Sequence, residues 1–210
     1  MVYYFDAKEI LLLKILFWFS MQVYDAILKR RSIRRFQQRR IDQKILKKMA
    51  NAARLAPSAA NLQVLEFFVV DDKNLCDKIF RTTGWAGYIK PSWRPDEGER
   101  PIAYVIILVN DNKNPWYVRD ASLAAENIVL TAEENKVGSC ILCNINREKI
   151  RKILKIPDEI IIDSMIALGY KAEQPVIAEY KDSVKYWRDE KQALHVPKRS
   201  LDDTLHLNKF

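Results

Sequence analysis

Ala56-Pro57-Ser58-Ala59-Ala60-Asn61-Leu62-Gln63 is a turn of small residues set between a helical pattern and a strand-like run. Asp42 reads as the N-cap of the preceding helix, with Ile45, Leu46, Met49, Ala52 and Ala53 turned inward, and Pro57 ends that helix. Val64 to Val70, after the turn, is β-branched and aromatic, which is the composition of a buried strand. Small side chains let a backbone approach a flat ligand closely, while Ser58, Asn61 and Gln63 supply hydrogen bonds; an ordinary helix-to-strand turn has the same composition. Upstream lies a second unit, Arg30-Arg31-Ser32-Ile33-Arg34-Arg35, delivered by a short helix over Val23 to Leu28. Seven of the twelve residues from Lys29 to Arg40 are basic, so the charge is concentrated there. Guanidiniums and a hydroxyl beside a helix end converge with bidentate geometry on one anion, which suits a phosphomonoester. Taken alone, the run equally fits a solvated basic face, and less well a nucleic-acid surface, since no nucleic-acid motif accompanies it.

Beyond the turn, Ile102 to Val109 is an almost unbroken apolar run and reads as a strand buried on both faces. Between the two strands, Thr82 to Pro101 carries three of the five glycines and three prolines together with Trp85 and Trp93, an ordered excursion suited to a substrate lid. Asp120 to Lys136 places Ala121, Ala124, Ala125, Ile128 and Ala132 on one face at helical spacing, and these small residues suit a central helix. Ser139 to Cys143 reads as a strand, Asn146 caps a helix through Leu154, and Ile160 to Leu168 is another buried strand ending at Gly169. Glu173 to Phe210 has no clean period and is too apolar for a disordered tail, so it is expected to wrap around another subunit.

The chain has 210 residues, 49% of them hydrophobic and 30% charged, enough for one sizeable core. Its formal charge of +8 predicts attraction to anions without naming the anion. Residues 21–210 read as one domain and 1–20 as an N-terminal extension. The apolar run Ile10 to Phe19 contains Lys14 and is half the length of a membrane span, which needs about 20 apolar residues. Asp6 and Glu9 precede it where a signal peptide would be basic. A helix packed on the body or on a partner subunit, an extension ahead of a start at Met21, and membrane association all remain open for it. An odd count of three cysteines argues against a secreted disulfide framework and fits a reducing cytoplasm. Cys140-Ile141-Leu142-Cys143 has redox spacing, but on a strand such positions lie roughly 10 Å apart on opposite faces, beyond the ~7 Å a disulfide spans. No G-x-G-x-x-G, phosphate-cradling Gly-Lys-Ser/Thr loop, G-x-S-x-G or H-E-x-x-H occurs, and two histidines supply a triad or a metal site poorly.

In order and spacing, the arginine-serine-arginine unit and the Ala-Pro-Ser-Ala-Ala-Asn-Leu-Gln turn resemble the two N-terminal signatures of the nitroreductase family. The likeness continues through Val137-Gly138-Ser139-Cys140, Ile166-Ala167-Leu168-Gly169-Tyr170 and His195-Val196-Pro197-Lys198-Arg199-Ser200-Leu201, covering about residues 21 to 210. The resemblance implies an α+β fold with a central mixed, mostly antiparallel sheet flanked by helices. It also implies an intertwined homodimer with one FMN in each of two interfacial clefts. In that reading Arg30, Arg31 and Ser32 hold the FMN phosphate and ribityl chain, with Lys198 or Arg199 closing on the phosphate. Arg34 sits at the pyrimidine edge, where a fixed cation stabilises the charge of the reduced flavin. Pro57, Ser58, Ala59 and Asn61 come from the second subunit. The backbone at Ile141, Leu142 and Cys143 faces the ring, with an amide able to donate to N5. The implied reaction is ping-pong: NADH or NADPH delivers hydride and leaves, and a nitroaromatic, quinone or similar acceptor takes its place. Trp85 and Tyr88 are the expected substrate contacts. Two departures stand out: Val64-Leu65 follow Gln63 where many members have Pro-Trp, and Asn144 stands where glycine is common. A reductive dehalogenase, a flavin-cleaving relative or a non-catalytic FMN-binding protein would share the cofactor site; a nucleic-acid-binding protein would not.

Overall fold

The computed structural model describes residues 22–111 and 114–209; the N-terminal extension lies outside the described residues. In chain order the main elements are α1 (Val23–Lys29), β1 (Phe36–Gln37), α2 (Gln43–Arg54), β2 (Leu65–Val70), α3 (Lys73–Phe80) and β3 (Ala103–Val109). They continue with α4 (Tyr117–Glu134), β4 (Val137–Leu142), α5 (Arg147–Leu154), β5 (Ile161–Lys171), β6 (Val176–Glu179), β7 (Trp187–Arg188) and β8 (Leu194–Lys198). Asp42 caps α2 by accepting from Lys44 N–H, and Asn146 caps α5 by accepting from Lys149 N–H. Each cap satisfies an amide that the first helical turn leaves unpaired.

β5 organises the larger sheet. One edge pairs with β3 from Ala103↔Leu168 to Val109↔Ile161, the other with β4 from Val137↔Tyr170 to Leu142↔Met165, and β1 joins at Phe36↔Lys171. β2 completes the sheet against β3. All these ladders are antiparallel. Among the described residues, the parallel pairing expected of a mixed sheet is confined to a Ser32↔Ser139 bridge and to a small sheet in the tail, where β6 pairs parallel and β7 antiparallel with β8.

The apolar run in β3 is explained by burial on both sides. Tyr104, Ile106 and Leu108 face a core shared with Ile79 and Phe80 of α3 and Ile150 of α5. Ala103, Val105 and Ile107 face Leu46 and Met49 of α2 and Ala121, Ala124 and Ile128 of α4. Burying each large aliphatic side chain contributes about 1.5–3 kcal/mol, so a strand with no polar face is stable only in such a three-layer arrangement. α3 was not read from the sequence, although Asp72 caps it and Cys76, Ile79 and Phe80 are buried. Among the described residues, no helix is long and apolar enough to cross a membrane.

Candidate functional site

The chain leaves α1 in extended geometry at Arg30 and docks on β4, where Ile33 N–H donates to Ser139 O at 2.8 Å. Gly138 makes this approach possible: a Cβ there would lie 2.9 Å from Ile33 Cγ1. Ile33 is buried, which anchors the segment, while Arg30, Arg31, Ser32 and Arg34 line a hollow of about 190 Å³ with Tyr186, Val196 and Lys198. Among the described residues, no carboxylate lines it. Arg30 Nε is 3.7 Å from Glu126 on α4, a loose and half-exposed pair. The Arg31 guanidinium is oriented by the carbonyls of Arg30 and Leu28. Partial burial and then the charge of Arg30 lower the Arg31 pKa, with Glu133 opposing. Arginine stays protonated, so the consequence is a concentration of like charge that an anion would relieve.

The tail supplies the other wall. β8 carries Lys198 to the hollow, whereas the Arg199 guanidinium turns away and donates to the Asp203 carbonyl. Of the two basic candidates, Lys198 is therefore the one brought to the arginines. Arg34 stacks over the Tyr186 ring at 4.7 Å, and Tyr186 packs on Tyr88 with ring centroids 5.1 Å apart. Glu173 Oε1 accepts from Arg34 N–H at 2.6 Å, and its Oε2 accepts from Arg188 at 2.7 Å.

The small-residue turn is strained and tightly held. Ala60, Asn61 and Gln63 have φ of 49°, 55° and 51°, in the left-handed region that L side chains seldom occupy. Asp120, buried in α4, accepts from Ala59 N–H at 3.0 Å, and Ser58 Oγ accepts from Gln63 N–H at 3.2 Å. Pro57, Ser58 and Gln63 line a separate hollow of about 130 Å³ with Leu65 and Phe67. This hollow shares no lining residue with the arginine hollow, and neither is lined by Ala59 or Asn61.

β4 is buried from Val137 to Cys140, and at its end Cys140 and Leu142 are buried while Ile141 between them is exposed. Cys143, just past the strand, is exposed, and all three cysteines are free. Burial raises the Cys140 thiol pKa, so it is inert rather than half of a redox pair. Asn144 faces the start of the 82–101 excursion, where Gly84 N–H donates to its carbonyl at 2.9 Å. A Cβ on Gly84 would lie 2.1 Å from Asn144 Nδ2, so the side chain fills space beneath the excursion. Trp85, an expected substrate contact, sits at the start of the excursion. Its ring is 8% exposed, packs near Phe80, and donates from Nε1 to Thr83 Oγ1 at 2.7 Å. Tyr88, 49% exposed, does present surface. Among the described residues, no group of three or more metal-capable side chains gathers.

The sequence model of the nitroreductase family matches residues 27–91 and 98–170. The chain belongs to the nitroreductase family. A Methanothermobacter thermautotrophicus protein whose name reads NADH dehydrogenase/NAD(P)H nitroreductase is 31% identical over 162 residues, covering 74% of this chain and 81% of the relative. The structure of an FMN-dependent nitroreductase from Clostridium difficile R20291 superposes with a TM-score of 0.62 at 29% identity, covering 87% of this chain and 96% of that one. An iodotyrosine deiodinase bound to FMN and 3-iodo-L-tyrosine shares the fold, with a TM-score of 0.66 at 20% identity over 78% of this chain and 97% of that one. Membership makes this chain an oxidoreductase.

Several residues around this candidate site of the nitroreductase-family chain carry no mark in the sequence. Tyr186, Glu173, Arg188 and Asp120 act through contacts between distant segments, and no local spacing announces them. A buried acid within α4 was the one available signal, because an acidic side chain on an apolar helix face requires a partner.

Proposed function

We propose that the protein is an FMN-dependent oxidoreductase, acting as a homodimer in a reducing cytoplasm, that takes electrons from NADH or NADPH and passes them to a nitroaromatic, quinone or similar acceptor. The observation that carries this reading is the hollow of Arg30, Arg31, Ser32, Arg34 and Lys198, which no carboxylate among the described residues lines. A phosphomonoester carries close to two negative charges at neutral pH and three acceptor oxygens, which such a donor set matches. The residues therefore fit the FMN phosphate, with Arg30, Arg31, Ser32 and Lys198 as its holders.

Bound FMN would supply two-electron chemistry, accepting from a nicotinamide and releasing to an acceptor that enters once the nicotinamide has left. Arg34, fixed by its stack on Tyr186, gives a cation at the pyrimidine edge that needs no reorganisation when charge arrives. The backbone of Ile141, Leu142 and Cys143 offers an amide toward the ring. Pro57, Ser58, Ala59 and Asn61 enter from the partner chain, a reading supported by the separation of the two hollows within one chain. Val23, Tyr24, Ile27 and Leu28 leave apolar surface on α1 for that partner to cover. Tyr88 is the expected acceptor contact.

The test is the visible absorbance of the protein after incubation with FMN and desalting, followed by anaerobic NADH and then NADPH. Retained flavin peaks that bleach establish the reductase and its donor. Retained peaks that neither donor bleaches indicate a flavin holder or another reductant. A colourless protein sinks the cofactor assignment and leaves the basic unit to be tested against nucleic acid.

A further inference from the structure

A carboxylate beside an arginine-rich hollow competes with any anionic ligand for the same cations. Glu173 occupies that position: its side chain is 6% exposed, and it meets the cradle at the Arg34 amide. Its charge is taken up instead by Arg188, 7% exposed and 2.7 Å away, which does not line the hollow. Arg188 is held in turn by the face of Trp93 at 4.9 Å and by the Gln192 carbonyl at 2.7 Å. The carboxylate is thus neutralised from outside, and it pairs with none of the guanidinium or ammonium groups that line the hollow.

The same pair is mechanical as well as electrostatic. Glu173 binds the Ser32–Arg34 segment through a backbone amide and β7 through Arg188. β7 pairs with β8 at Trp187↔His195 and Arg188↔Leu194, and β8 ends at Lys198. Glu173 thus ties the strand that carries Lys198 to the arginine segment, beside the direct pairing of Lys198 with Glu179 of β6.

We propose that Glu173 and Arg188 form a positioning pair for the anionic end of the cofactor, tuning phosphate affinity without touching the ligand. This rests on the FMN reading above. The pair reaches the flavin ring only through the Arg34 amide, so a flavin without the phosphate is expected to lose less affinity than FMN when the pair is broken.

The experiment titrates the purified full chain with FMN and with riboflavin, following flavin fluorescence, for the wild type, Glu173→Gln, Arg188→Gln and the double variant. A wild type that binds FMN no better than riboflavin removes the phosphate site, and both readings fall together. Where the wild type prefers FMN, each single variant is expected to weaken FMN about tenfold, with the double variant no worse than the weaker single, because both remove one contact. Riboflavin affinity is expected to change by less than about twofold. Arg188→Lys, which keeps the charge, is expected to hold FMN within about threefold of wild type. Unchanged FMN affinity in the single variants, equal losses for both flavins, or a lysine variant as weak as the glutamine variant would each overturn the positioning role while leaving the FMN reading intact. Should the glutamine variants fail to fold, Glu173→Asp, too short to reach both partners, takes their place beside Arg188→Lys under the same expectations.

Discussion

Replacing Gly138 with alanine would put a methyl group 2.9 Å from Ile33 Cγ1 and 3.0 Å from Ile33 Cβ and Cγ2. Ile33 cannot swing aside, because it is β-branched and 1% exposed. Overpacking of this kind costs about 1–3 kcal/mol. If the segment lifts instead, the 2.8 Å bond from Ile33 N–H to Ser139 O is lost, at about 1 kcal/mol net. In a domain of this size each kcal/mol lowers Tm by about 2–4 °C, so a fall on the order of 5–10 °C is expected. The lifted segment carries Arg31 and Ser32 with it, so FMN affinity should fall in the same variant. Gly98→Ala is the control, since nothing among the described residues lies within 4 Å of the Cβ it would add. Thermal melting followed by circular dichroism, with FMN titration of each variant, decides the matter. A Gly138→Ala protein with the melting temperature and FMN affinity of the control would refute the argument that the phosphate segment depends on close approach to β4.

Arg30→Ala should weaken FMN about tenfold by fluorescence titration, since one charge-assisted contact is lost; unchanged affinity would remove Arg30 from the cradle. Trp85→Ala should cost about 3–5 kcal/mol in chemical denaturation. Tyr88→Ala should cost under about 1 kcal/mol and shift the KM for the acceptor instead; the reverse order would return Trp85 to the substrate side. A thiol reagent at neutral pH should modify Cys143 quickly and leave Cys76 and Cys140 untouched until denaturant is added. Burial, with Asp71, Asp72 and Asp77 nearby, pushes the Cys76 thiol from 9.0 up to about 12. The folded state thus holds this proton more tightly than the unfolded chain, and the associated stability is present below pH 9 and lost as pH rises toward 12. Denaturation midpoints across that window should fall less steeply for Cys76→Ala, and parallel slopes would contradict the assignment.

The elements legible in the sequence are those with a local physical signature. Asp42 and Asn146 announced helix starts because a short acceptor side chain before an apolar period has few other uses. β3 was legible because burial on both faces leaves no polar positions. α3 was missed for want of length, as eight residues hold two turns of pattern and a glycine- and proline-rich stretch follows at once. β7 has two residues and β6 four, too few for any alternation to stand out, so the tail read as irregular. At the site, the arginines and the small-residue turn stand out by local charge and composition, and the resemblance gives them roles, while Tyr186 and Glu173 carry no such mark. Which tail residue meets an arginine depends on how the chain returns, and only the fold holds that information.

The cradle joins segments made at very different times. Arg34 and Glu173 are 139 positions apart, and Lys198 lies later still. A nascent chain that has emitted the arginines therefore lacks Lys198, and with it the proposed phosphate site, until β8 has left the ribosome. Closing so long a loop costs conformational entropy, and a ligand that grips both segments offsets that cost by mass action. Cofactor capture would accordingly report that β8 has been made and docked, and a chain cut short before β7 would keep most of its sheet yet be expected to lose its grip on the phosphate.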